Sequence, residues 1–366
     1  MNSQSVLSFQ LKKEQLFALR QIPLNALSPF TLDALPLPLS VETRSLSLRP
    51  DFQAALAILA QPRLRLEYRQ ATGDPSWRSI TAYGSPGNGN QAFVVLLPSP
   101  EENLTLLYFA SAADYIAWWL QNFARVALTA QPALSAHAFG LPTLLCLLQT
   151  VDSYRRLELE ALLRYETADA FALSEETLRS HLHAAWSKQD FRWLSIALLA
   201  LTPGLPQTEP QLSEQAFQTA FELGFLSSHS KATLQLGPQG QRLCRELQRS
   251  LLAPLGCEAM TLGENGLSSL ARFFFLASQE SNHLFSFSPA SAAQLTFRHQ
   301  ALTCAALEEN MTAWLAALCT AAANTEAAAA PLPITNRILC KTCGHLGNVG
   351  AKFCINCGSF LEKNPK

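Results

Sequence analysis

AFVVLLPSPEENLTLLYFA, residues 92–110, decides how this chain is read. Two apolar runs, 92–98 and 104–110, flank the segment SPEEN. Short runs rich in Val, Leu and aromatic residues, bounded by turn residues, are the pattern of paired strands. Working upstream, RLRLEYRQ (63–70) and WRSITAY (77–83) have the same character, and the breaks ATGDPS and GSPGNGN are turn chemistry. Four such runs in succession predict a β-meander. A helix precedes it, from Asp51 through FQAALAILA to a stop near Pro62, because proline cannot continue a helix interior. Another follows it: Ser111 caps AADYIAWWLQNFARVAL, and Ile116, Leu120 and Phe123 fall on one face at spacings of four and three.

The same succession recurs. After Pro254 come LSSLARFFFLAS (267–278), HLFSFSP (283–289) and AQLTFRHQ (293–300), then a long helix with Cys304, Leu307, Met311, Trp314 and Leu318 on one face. The two stretches align at an offset of about 191, which pairs Pro98 with Pro289, Leu104 with Leu295 and Thr105 with Thr296, with apolar residues matched around them. Duplicated halves related by a pseudo-twofold are expected, with the residues between them packed between or beside the halves. That middle is mostly helical. It holds SEETLRSHLHAAW from Ser174 and a buried helix in WLSIALLALTPG (193–204). Its last part, QLSEQAFQTAFELGF and onward, reads as helix, Gly224 stop, short strand pair and helix, the order of a winged helix. Residues 1–50, rich in Leu and Pro, are expected to wrap the body in extended segments.

The expected fold class is therefore α+β. Two pseudo-repeated β-meander-plus-helix halves (about 50–130 and 250–320) and a helical, winged-helix-like middle (133–250) make a body over 1–320. An Ala/Pro linker (321–336) leads to a small zinc ribbon (337–363). The ribbon is read from CKTCGHLGNVGAKFCINCG, in which Cys340, Cys343, Cys354 and Cys357 form two C-x2-C pairs ten residues apart. Such pairs let two thiolates reach one ion, and two pairs complete a closed tetrahedral site for one structural Zn2+; two disulfides or an iron–sulfur cluster are the other uses of four such cysteines. Zinc would contribute about 10–16 kcal/mol of folding free energy to so short a domain.

Those residues resemble the short bacterial zinc ribbons of the FCxxCG kind. The element order of the body, over about 50–320, resembles the EspG chaperones of type VII (ESX-type) secretion. That resemblance implies two quasi-equivalent α/β halves and a cytosolic role in binding a pair of secreted helical proteins. A zinc ribbon is not part of the usual EspG pattern, and no binding residue carries over from the family.

The chemistry of the remaining residues points away from catalysis. No phosphate loop, dinucleotide fingerprint, zinc-protease motif or nucleophile elbow is present, and SPGNGN (85–90) lies between two strands as a hairpin turn. His181 and His183, two apart on a helix, point about 200° from each other and cannot share a metal there. Adjacent carboxylates such as Glu101 and Glu102, Glu175 and Glu176, or Glu308 and Glu309 read as solvated rather than as an acid and base facing across a cleft. Cys146 has no nearby base and reads as core, as do Cys244, Cys257, Cys304 and Cys319. No catalytic or cofactor-binding residue is assigned, and no enzyme activity is expected.

Net charge is −1, which predicts no strong attraction to nucleic acid or to anionic membrane. The start of the chain lacks a basic region followed by an apolar stretch, and no apolar run has membrane character, so a cytoplasmic protein is expected. The expected function is a non-enzymatic protein-binding chaperone or adaptor, EspG-like, with the zinc ribbon as an accessory contact and Tyr115, Trp118 and Trp119 as candidate anchors. The alternative is a nucleic-acid-binding regulator built from the ribbon, which carries about +4 over 337–366, and the winged-helix-like segment. Glu214 and Glu222 on its candidate recognition helix oppose that use, since DNA affinity comes mainly from phosphate neutralisation.

Overall fold

A computed structural model describes residues 7–11, 50–60, 62–72, 76–86, 91–98, 104–125, 137–165, 173–230, 233–248, 253–263, 266–278, 280–287, 295–326, 337–339 and 346–348. The residues quoted above as a meander form β2 (Leu64–Ala71), β3 (Trp77–Pro86), β4 (Gln91–Pro98) and β5 (Leu104–Phe109). Helix α1 (Pro50–Ala60) precedes them and α2 (Ala112–Phe123) follows. Ser111 does cap α2: its hydroxyl oxygen accepts from the Asp114 N–H at 3.2 Å. Strand β1 (Leu7–Leu11) pairs antiparallel with β5.

The second set is β9 (Leu255–Gly263), β10 (Gly266–Ala277), β11 (Asn282–Phe287), β12 (Thr296–Leu302) and α8 (Cys304–Glu326). Between the sets lie β6 (His137–Gly140), α3 (Leu141–Leu163), α4 (Glu175–Lys188), α5 (Leu194–Leu201), α6 (Glu214–Glu222), the hairpin β7 (Leu226–Ser230) and β8 (Thr233–Leu236), and α7 (Pro238–Gln248).

All but the small hairpins join one antiparallel ten-stranded sheet, ordered β1-β5-β4-β3-β2-β9-β10-β11-β12-β6. The two meanders are thus halves of a single sheet, joined where β2 pairs with β9. Strands β9 and β11 begin 191 residues after β2 and β4. In the central register Glu67 lies opposite Glu258, also 191 residues on, so the local twofold passes between these two carboxylates. Like charges directly across a sheet are destabilising unless matched. Arg65 and Arg69 each reach Glu67 at 3.1 Å, and Arg272 reaches Glu258 at 2.7 Å.

Period-two alternation sends the even residues of β2 to one face and the odd ones to the other. On the first face α2 and α8 lie side by side over Leu64, Leu66, Phe93, Phe273 and Phe275. Tyr68 and Tyr115 meet hydroxyl to hydroxyl within this core. On the second face α1 covers Tyr83, Val94, Leu96 and Leu106, while α3 to α7 cover Phe274, Phe285 and Phe297 at the other end. The C-terminus of α5 descends onto β9 at Gly256, where a Cβ would stand 2.0 Å from the Leu201 carbonyl oxygen, so only glycine fits this approach.

Several expectations need correction. Tyr115 and Trp119 are fully buried and Trp118 is 9 % exposed, so these rings are core rather than interface anchors. Of the expected zinc ribbon, only the short antiparallel pair β13 (Arg337–Leu339) and β14 (Leu346–Asn348) is described. Cys340, Cys343, Cys354 and Cys357 lie outside the described residues, and so does most of the expected linker. Among the described residues, no group of three or more His, Cys, Asp or Glu could hold a metal ion. The α+β class stands, but the zinc ribbon, its Zn2+ and the metal-binding role do not carry forward. Among the described residues, no helix is long and apolar enough to cross a membrane.

Candidate functional site

Helix α3 runs through two environments. Pro142 in its first turn is tolerated there, because the N–H it lacks has no partner inside the helix. From Thr143 to Ser153 every residue is buried, polar ones included. Thr150 donates to the Cys146 carbonyl within the helix, and Gln149, Asp152 and Ser153 meet α5 and α4. Gln149 Oε1 accepts from the Ser195 hydroxyl at 2.9 Å, and Asp152 accepts from the Ser195 N–H at 3.3 Å. Ser153 Oγ lies 3.0 Å from His181 Nδ1. Asp152 therefore supplies a cap for the N-terminus of α5, where Trp193 has no side-chain cap of its own. Burial pushes the Asp152 carboxyl up to about 7, against the pull of Arg155 and of the α5 N–H groups. Cys146 lies in the same wall, and burial pushes its thiol up to about 12, so it is no nucleophile.

The last two turns of α3 stay packed only on one side, through Leu157 and Ala161, and turn another face outward. Leu159, Leu162, Leu163 and then Tyr165 are 58, 66, 72 and 99 % exposed. The leucines sit at i, i+3 and i+4, one stripe of a helix. Tyr165 ends the helix at φ 59, in the left-handed region normally given to glycine at this position. Beside the stripe, Arg156 and Glu160 pair with each other at 2.8 Å, and the exposed Arg164 stands between Leu163 and Tyr165. A firmly anchored helix thus carries a bare apolar end. Sequence reading placed 133–250 among helices without singling out LELEALLRY (157–165). Its apolar positions have helical spacing, but spacing alone does not tell an outward stripe from a buried one.

The polar clusters behave differently. Ser281, Glu246, His283 and His299 form a connected group of residue types used in acyl transfer, yet none is more than 3 % exposed. That serine is enclosed, and the sequence alone does not assemble the group because its members come from separate elements. His183 meets Glu209 at 2.6 Å on the surface, at the edge of a cleft of about 350 Å³ shared with Arg179 and Glu176. His181 turns instead toward Ser153, so the two histidines stay apart, as their spacing predicts. In the winged-helix-like unit, α6 buries Ala216, Phe217 and Ala220 against the body and acts as a packing element.

No family model matches this chain, and no curated protein matches it. The resemblance to EspG chaperones therefore does not stand, and with it goes the reading as a secretion chaperone or adaptor carrying a zinc module. The regulator built on a zinc ribbon is not carried forward either.

Proposed function

We propose that this chain works by binding rather than by catalysis, and that it takes an amphipathic helix of a partner protein along the bare end of α3. The carrying observation is the stripe Leu159, Leu162 and Leu163, closed by Tyr165, on a helix whose other half is locked into the core. Helical spacing suits a helical partner, whose own i, i+3, i+4 row would lie in register against it. Arg156 and Glu160 pair internally beside an apolar row, and the exposed Arg164 leaves one positive charge at its end for an acidic residue of the partner. Each leucine has more than half its surface still to bury, which is worth about 1–2 kcal/mol apiece. Tyrosine adds a rigid anchor of low entropy cost.

The test is a titration with a fluorescent, leucine-rich amphipathic helical peptide, and with the same peptide broken by a central proline. The proposal expects the helical form to bind, the proline form to lose at least tenfold, and Leu162→Asp/Leu163→Asp to abolish binding while leaving the melting curve unchanged. Equal binding by the two peptides, or full binding by the double variant, contradicts it. A concentration-dependent dimer of this chain, dissolved by the same substitutions, would assign the stripe to a second copy instead.

A further inference from the structure

Helix α7 is fastened to the far end of the sheet through one sealed group. Glu246, on α7, reaches across to the turn between β10 and β11. There the Ser281 hydroxyl donates to its carboxylate, and His283 Nε2 stands 3.2 Å from the same oxygen. The turn is itself rigid: Ser278 accepts from the Ser281 N–H at 3.0 Å and donates to the Ser281 carbonyl at 2.9 Å. From His283 the chain of contacts passes to β12, where His283 Nδ1 and His299 Nε2 are 3.1 Å apart. His299 is packed against the ring of Phe285 at 4.5 Å and near that of Phe139 at 6.4 Å. On its other side, His137 of β6 faces it directly in the strand register. Three histidines on three neighbouring strands thus stand in line with one carboxylate.

That arrangement has room for one positive charge. Its carboxylate, Glu246, lies against His283. A positive charge on the buried His299 would face His283 and His137, with no carboxylate against it among the described residues. We propose that Glu246, Ser281, His283 and His299 are an acid-sensitive latch that holds α7 against the sheet near neutral pH and releases it as His299 takes up a proton.

Burial, with His283 and His137 beside it, holds His299 well below the ordinary histidine value of 6.5. Glu246 is the other titrating member; hydrogen bonds from His283 and Ser281 keep it below the usual carboxylate value despite its burial. A histidine whose folded value is depressed stabilises the fold above its unfolded value. That contribution is lost as the pH drops below about 6.5 toward the folded value, because the unfolded chain binds the proton first. Glu246 adds a second loss in the same direction at lower pH, below its ordinary 4.5. Helix α7 also packs against α3, so its release would loosen the wall that supports the bare leucines.

The test is hydrogen exchange of the full-length protein at pH 7.5 and 5.5, corrected for the intrinsic rate at each pH. The latch predicts that amide protection in 239–248 falls several-fold, up to about tenfold, at the lower pH, while β4 is unchanged. In His299→Gln the side-chain amide can still donate to His283 and never charges, so the fall should vanish. Glu246→Gln should show weakened α7 protection already at pH 7.5. Equal protection of α7 at both pH values in the wild type overturns the proposal, as does an undiminished fall in His299→Gln. The ring proton signals of the wild type decide the matter without any variant. A His299 that titrates near 6.5 while α7 stays protected also overturns it.

Discussion

Asp152 offers a prediction whose size follows from its surroundings. Its carboxyl is almost fully enclosed, accepts from the first N–H groups of α5, and is held at about 7 instead of its ordinary 3.8 because burial outweighs Arg155. A folded value above the unfolded one means that the native state holds a proton which the unfolded chain has already lost. The associated stability is therefore complete below about pH 3.8 and is lost as the pH rises through 7. At 1.36 kcal/mol for each tenfold change in proton affinity, the native state forfeits roughly 3–4 kcal/mol between those limits. Asp152→Asn keeps an oxygen for the Ser195 N–H and removes the titration. The perturbation should be read as the stability of Asp152→Asn minus that of the wild type, from urea unfolding at half-unit steps between pH 4 and 8. Taking the difference cancels His299 and Glu246, which act with the opposite sign. The account predicts that this difference climbs by roughly 3–4 kcal/mol between about pH 4 and 7 and levels off above 7. A difference that stays flat, or that grows on acidification, would refute the reasoning.

Two further substitutions test the packing. Gly256→Ala would place a Cβ 2.0 Å from the Leu201 carbonyl oxygen and 3.0 Å from the Thr202 nitrogen, both backbone atoms. It should destabilise by about 3 kcal/mol or more in urea unfolding, and a loss under ~1 kcal/mol would mean that α5 does not approach β9 this closely. Tyr68→Phe strands the Tyr115 hydroxyl in a dry core and should cost about 1–3 kcal/mol. Tyr68→Phe/Tyr115→Phe removes both hydroxyls and should recover most of that loss. A double variant as unstable as the sum of the singles would count against a direct hydroxyl pair.

How much of this could be read from residues varies with the element. The strands rich in Val, Leu and Phe were legible from composition and turn residues, as were the capped helices α2, α4 and α6, where Ser111, Ser174 and Ser213 each accept an N–H from the first turn. Strand β9 was not. LGCEAMTLG carries Gly, Glu and Ala, residues depleted in strands, because its Glu258 meets a charged partner and its Gly256 meets a helix end. Missing it hid the seam that turns two meanders into one sheet. Strand β6 is four residues long and sits at the edge, below what alternation can reveal. Trp118 and Trp119 point about 100° apart on a helix, which made them candidate anchors in expectation. The trough between α8 and the sheet takes both, with Phe273 and Phe275 against Trp119 and Phe109 against Trp118. The acid-sensitive group was invisible for a different reason. Glu246 and His283 are 37 residues apart and meet only once α7 folds back on the sheet.

Tyr165 provides the most direct test of the proposed docking surface, because fold and function pull it in opposite directions. A tyrosine at φ 59 costs about 1 kcal/mol relative to glycine, and its ring is almost wholly in solvent. Stability and affinity for the helical peptide should therefore be measured together on Tyr165→Gly. The account predicts a chain more stable by about 1 kcal/mol whose affinity is at least tenfold weaker. A more stable chain that binds the peptide as well as the wild type would contradict it.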